Sequence, residues 1–298
     1  MAKIPVIIST DPGIDDAAAL GMAFYRPELD VRLITTLHGN VDINKTTANT
    51  LKLITFYGQD TPVARGMETP LFQPVVSTDV HGESGMDGYD FPESTHRIIE
   101  EHAVEVMRSL LESSDEKITF VSIGPLTNIA MLFLMYPHIK GKIDRIVLMG
   151  GSLSGGNVTS AAEFNIWADP HAAKIVFDSG VDMVMIGLDV TLKALIGQEE
   201  LDPARKRSQT AEMFNATFRH YRDGDMENGV VMHDMCAVTY LTNPEIFHVE
   251  PKRITVITEG PAKGMTMEIN GEPNIQVATE IDQAAFKAWF AETLERME

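Results

Sequence analysis

The sequence predicts an α/β fold, a doubly wound and mostly parallel sheet in one domain spanning residues 1–298. Three observations carry this. Short apolar, β-branched runs alternate with helix-period segments, the pattern of strands joined by helical crossovers. The early strands are nearly continuous in apolar residues, as strands covered on both faces are. No composition shift, repeat or low-complexity stretch marks a linker.

Each element follows in order. Ile4 to Ser9, "IPVIIS", reads as a buried strand, and Pro12-Gly13 turns the chain. "DDAAALGMAFY" reads as a helix with acids in its first turn, where the helix dipole favours them, and Pro27 marks its end. "VRLITTL" is the second strand, and "INKTTANTLKLITFY" a helix closed by Gly58. "KITFVSI" and "LTNIAMLFLMY" form the next strand and helix, "RIVLMG" and "DPHAAKIVFDSG" another pair, and "VDMVMIGLDV" ends the series as a strand. The last third reads as a long polar helix from about Gln198 to Arg222, a helix from His233, three strands ("RITVIT", "GMTMEI", "IQVATEI") and the amphipathic helix "DQAAFKAWFAETLERM".

Composition narrows the function. Hydrophobic residues make up 44% and charged residues 22%, ordinary for a globular protein. The formal net charge of −19 argues against nucleic acid polymers and anionic membranes, which need basic surfaces. A neutral small molecule or a cation is the easier partner. The single cysteine, Cys236, allows no internal disulfide and no cysteine-rich zinc site. The apolar run at the N-terminus is too short for a signal peptide or a membrane span, so a cytoplasmic location is expected. There is no G-x-G-x-x-G, no phosphate-binding G-x-x-x-x-G-K-[ST] and no G-x-S-x-G elbow.

In such sheets ligands bind beyond the carboxyl ends of the strands. Four polar, glycine-bearing segments fall there: "STDPGIDD", "HGN", "GPLTN" and "GGSLSGGN". Asp11, Asp15 and Asp16 either cap a helix or hold a divalent cation, and oxygen ligands suit Ca²⁺ or Mg²⁺ better than zinc. "VHGESGMDGYDF" (Val80 to Phe91) is either a solvated loop or a lid carrying His81. Between Gly150 and Pro170, Asn157, Glu163 and Asn165 serve either as turn and cap residues or as binders of several hydroxyl groups. In "MHDMCAVTYL", Asp234 reads as an N-cap or a ligand, and His233 as structural or functional.

Taken together and in order, "TDPGIDDA", "HGN", "HGESGMDGYDF", "IGPLTNIA", "LMGGS", "AEFNIWADP", "GLDVT" and "MHDMCAV" resemble the calcium-dependent nucleoside hydrolase family, and most closely its broad-specificity ribonucleoside branch. The resemblance runs from about Lys3 to the last helix. It implies a Rossmann-like core of the nucleoside hydrolase fold and hydrolysis of the N-glycosidic bond of purine and pyrimidine ribonucleosides. It further implies that Asp11, Asp16, Asp234 and the carbonyl of Ile123 ligate Ca²⁺, whose bound water is the nucleophile with Asp11 as general base. Asp15 would bond the ribose 2′-hydroxyl. Asn40, Asn157, Glu163 and Asn165 would hold the ribose, with Met149 and Phe164 lining the pocket. His233 would protonate the leaving base, and His81 would serve the same side. A homotetramer is implied as well. One position departs from the family pattern: Ser9 stands where an aspartate is usual.

Two other readings remain at this stage. A phosphatase-like enzyme would use an aspartate nucleophile after the first strand and needs a nearby lysine, yet none stands between Lys3 and Lys45. A sugar- or nucleoside-binding protein without turnover would not release reducing sugar.

Overall fold

A computed structural model describes residues 3–205, 208–221 and 224–297. Strand β1 (Ile4–Thr10) leads to helix α1 (Ile14–Tyr25), and β2 (Leu29–Thr36) to α2 (Ile43–Phe56). A short edge strand β3 (Val63–Arg65) follows, then a long irregular segment and α3 (Ala103–Ser113). Next come β4 (Ile118–Ser122), α4 (Thr127–Met135), β5 (Ile143–Met149), the one-turn α5 (Phe164–Ala168), α6 (Pro170–Phe177) and β6 (Met183–Ile186). The C-terminal third holds α7 (Leu188–Thr191), β7 (Leu195–Ile196), α8 (Gln198–Arg205), α9 (Gln209–Phe218), β8 (Val230–Val231) and α10 (Met235–Thr242). It closes with β9 (Phe247–Lys252), β10 (Ile254–Val256), β11 (Thr266–Glu268), β12 (Ile275–Ile281) and α11 (Gln283–Glu295).

The main sheet has eight strands in the order β3-β2-β1-β4-β5-β6-β12-β9. Its pairs are parallel except β12 with the edge strand β9. The first six strands have the spatial order of a doubly wound Rossmann-type sheet, so the topology reverses between β1 and β4. That reversal opens a crevice between the loop after β1 and the loop after β4. One apolar layer gathers α1, α10 and α11 on Val6, Ile8 and Val121. The other packs α3, α4 and α6 on Ile7, Leu33 and Phe120.

Several expectations are corrected. The strand Val181 to Val190 is only four residues long, because Gly187 starts the short helix α7. The single helix from Gln198 is two helices, α8 and α9, and its proposed end at Arg222 lies outside the described residues. The "RITVIT" and "GMTMEI" strands pair with each other in a separate hairpin and do not join the main sheet. Helix α3 and strands β3 and β9 were not expected; both strands lie at sheet edges, where half-exposed faces blur the apolar pattern. Among the described residues no helix is long and apolar enough to cross a membrane.

Candidate active site

The loop after β1 places Asp11, fully buried, between two neighbouring loops. A Cβ on Gly39 would lie 1.8 Å from Asp11 Oδ2, and one on Gly124 2.3 Å from Asp11 Oδ1. Only glycine allows both loops so near. The backbone N–H of Asn40 donates to Asp11 Oδ2 at 2.7 Å, while Asp11 Oδ1 is buried without a hydrogen-bond partner among the described residues.

Asp16 sits in the first turn of α1. It accepts bonds from Thr10 Oγ1 (2.5 Å), Gly13 N (2.9 Å) and Asn40 Nδ2 (3.1 Å). Asp234 enters from the start of α10, where its side chain makes no capping bond, so the N-cap reading of Asp234 is set aside. Carboxylate oxygens of Asp15, Asp16 and Asp234 all lie within 4.8 Å of one another, and Asp11 flanks this group through Asn40. Burial, and then mutual repulsion, push Asp11 and Asp234 well above the usual carboxylate range; burial also raises Asp16. Four crowded carboxylates without a cation among them are unfavourable. Their all-oxygen donor set, with the uncommitted Asp11 Oδ1 and the nearby carbonyl of Ile123, suits a hard divalent cation. Ser9, at the departing position, is buried with its hydroxyl unpartnered among the described residues; Thr10, Gly13 and Asn40 orient Asp16 instead.

Opposite the acids, the "AEFN" turn supplies the other wall. Glu163 caps α5 and accepts backbone N–H bonds from Gly151 (2.9 Å), Asn165 (2.9 Å) and Ile166 (3.1 Å). Burial nevertheless raises its carboxyl to about 7. Asn157 accepts from Phe164 N at 3.0 Å, and Asn165 Nδ2 donates to the carbonyls of Ile123 (3.3 Å) and Met149 (3.1 Å). Capping and pocket-lining therefore coexist in the same side chains.

A pocket of about 110 Å³ lies between these walls. Every expected site residue except Asp11 and Asp16 lines it, and those two are bonded to Asn40, which does. His233 is buried, with Nδ1 2.8 Å from Thr191 Oγ1. His81 is buried too, in a loop segment otherwise mostly half-buried or exposed; its Nδ1 accepts from Ile14 N at 3.1 Å. Sequence reasoning missed Tyr221, which stacks on His81 (ring centroids 5.0 Å apart) and donates to Asp15 Oδ2 at 3.2 Å. Thr78, Val80 and Val158 were missed as well. No local signal marked Tyr221, an aromatic near a helix end that reads as core. No lysine or arginine is among the described lining residues, which disfavours a phosphate ester.

The site is thus a carboxylate cluster at the switch point of a doubly wound sheet, faced by amides and two histidines. The relatives identify the class as the nucleoside hydrolases. Residues 6–288 match the family described as inosine-uridine preferring nucleoside hydrolase, and the chain belongs to that family. It is 46% identical to a non-specific ribonucleoside hydrolase RihC of Klebsiella pneumoniae subsp. pneumoniae over 98% of each chain. With the RihC of Escherichia fergusonii the identity is 44%, over the same shares. Among solved structures, a purine-preferring ribonucleoside hydrolase from Gardnerella vaginalis superposes with a TM-score of 0.93 at 29% identity, covering 98% of both chains. The plant nucleoside hydrolase PpNRh1 gives 0.91 at 31% identity over 98% of both chains.

Proposed function

We propose that this protein hydrolyses purine and pyrimidine ribonucleosides to ribose and free base with Ca²⁺ as its cation. The convergence of Asp15, Asp16 and Asp234, with Asp11 joined to them through Asn40, beside a pocket with no lysine or arginine among its described lining residues carries this reading. Asp11, Asp16, Asp234 and the Ile123 carbonyl would hold the cation. When bound, it would supply Lewis acidity toward a water and orientation of the ribose diol.

The chain's own groups account for the rest. Asp11 Oδ1, which has no hydrogen-bond partner among the described residues, would take the proton of the attacking water. Asp15 Oδ2 is steadied by the Tyr221 hydroxyl and accepts from the ribose 2′-hydroxyl. Asn40, Asn157, Glu163 and Asn165 bind the remaining hydroxyl groups, while Met149 and Phe164 exclude water. Fixed carboxylates around the sugar favour the positive charge that develops on an oxocarbenium-like ring. His233, with Nδ1 2.8 Å from Thr191 Oγ1, would protonate the departing base. His81 and Tyr221 form a stacked wall on the same side.

The substrate is a free ribonucleoside, a reading supported by the relatives' names and by the net charge of −19. We also infer a single domain, a homotetramer and a cytoplasmic setting, supported by the family resemblance and, for the last, by the lone buried cysteine. The test is reducing sugar released from inosine and uridine by untreated, exhaustively chelated and Ca²⁺-restored protein. Turnover of both that is lost and regained supports the reading. Full activity after chelation removes the cation from it, and no sugar release from either nucleoside removes the reaction.

A further inference from the structure

On the sheet face covered by α3, α4 and α6 lies a second set of buried polar groups that the chemistry above does not use. His38 follows β2 and is fully buried, with Nε2 3.1 Å from Thr127 Oγ1 at the start of α4. Thr127 Oγ1 is 2.8 Å from Asp169 Oδ2. Asp169, also fully buried, accepts a backbone N–H on each oxygen, from Ala172 at 3.0 Å and from Leu71 at 2.9 Å.

The direction of these bonds follows from proton counting. A carboxylate has only lone pairs to offer, so Thr127 donates its single hydroxyl proton to Asp169. Toward His38 the same oxygen can then only accept. His38 must therefore carry its proton on Nε2. Burial lowers the His38 pKa to about 4, so the ring is neutral near pH 7 and Nδ1 is bare. Consistently, Nδ1 has no hydrogen-bond partner among the described residues.

His38 is followed directly by Gly39 and Asn40. Those two residues press on Asp11 and bond Asp16, with no space to spare at Gly39. The other end of the chain of bonds fixes the cap of α6 and the Leu71 loop. We propose that His38, Thr127 and Asp169 form a one-way hydrogen-bond relay, Nε2–H to Oγ1 and O–H to Oδ2, that positions the Gly39–Asn40 loop against the carboxylates of Asp11 and Asp16. These are positioning residues that touch no substrate. The functional consequence rests on Asp11 and Asp16 being cation ligands, whereas the relay itself does not.

The first measurement is ¹H–¹⁵N spectroscopy of the full chain labelled at histidine, at pH 7, with the His38 signal assigned from its loss in His38→Gln. A neutral ring protonated on Nε2 is expected; an Nδ1–H tautomer or an imidazolium overturns the relay. The second compares Thr127→Ser, which keeps the hydroxyl, with Thr127→Val, which does not. Calorimetry with Ca²⁺ on chelated protein, and kcat/KM on uridine, should be near wild type for Thr127→Ser. Both should fall about 10-fold or more for Thr127→Val, the usual effect of removing a group that orients a metal ligand. Wild-type affinity and kcat/KM in a folded Thr127→Val protein overturn the positioning role. Should Thr127→Val not fold, His38→Gln, which retains an N–H donor, is compared with His38→Phe, and equal values overturn the role in the same way. If wild-type protein binds no Ca²⁺, the cation reading fails, and the spectroscopic result still decides the relay.

Discussion

At the scale of single residues, charge and hydrogen-bond capacity decide. Asp11→Asn removes one anionic charge from the proposed cation site together with the proposed base, so kcat on uridine should fall by several orders of magnitude. Sugar-release kinetics at saturating Ca²⁺ check this, and a loss under about 10-fold would deny Asp11 the role of base. His233→Ala should harm inosine far more than p-nitrophenyl riboside, whose leaving group needs no proton; equal losses would assign His233 to ribose binding instead. Glu163→Gln would turn an amide N–H₂ toward backbone donors that now bond both carboxylate oxygens. A stability loss of about 1–3 kcal/mol should appear in urea unfolding, the cost of buried groups left unsatisfied. With Asp15 accepting the ribose 2′-hydroxyl as proposed, uridine should exceed 2′-deoxyuridine in kcat/KM by up to roughly 10⁴-fold. Comparable values would show that the diol is not held there.

At the scale of elements, the site depends on loops that approach one another more closely than side chains permit. Gly39 belongs to the loop after β2 and Gly124 to the loop after β4, and both abut Asp11. Gly124→Ala should displace the Asp11 carboxylate while leaving β1 and β4 paired. The expected result is weakened Ca²⁺ binding by calorimetry with an unfolding midpoint close to wild type. Unchanged binding would mean that the loops yield easily. The glycines in "HGN" and "IGPLTN" were visible in the sequence as loop residues. Their contact with one carboxylate was not, because it depends on β1 lying between β2 and β4.

At the scale of the whole molecule, burying several carboxylates couples folding to pH and to the cation. Asp11, Asp16 and Asp234 are raised by burial, and Glu163 is raised to about 7. Without a cation the folded chain thus holds protons that the unfolded chain releases near the ordinary carboxylate pKa of about 4. Their contribution is fully present below that value and is lost as pH rises through the raised folded values. Chelated protein should therefore lose thermal stability from pH 5.5 to 7.5 relative to Ca²⁺-loaded protein. Differential scanning calorimetry of both forms at the two pH values checks this; a constant difference would mean that the carboxylates and the cation are not coupled.

The sequence alone determined the alternating fold, because buried parallel strands and their crossover helices carry strong periodic signals over short windows. It also made most of the candidate site legible, since Asp11, Asp15, Asp16, Glu163, Asn165, His233 and Asp234 sit in short motifs at strand ends and helix starts. Tertiary structure decided what periodicity does not encode. Strands β3 and β9 are short or half exposed at the sheet edges, so their patterns are weak. Tyr221 meets His81 and Asp15 across some 140 and 206 residues of chain. The direction of the His38–Thr127–Asp169 bonds depends on one loop and two helix starts brought together by strand order. Local pattern reports which face of an element is buried; only packing sets which distant groups share a proton or repel as neighbouring charges.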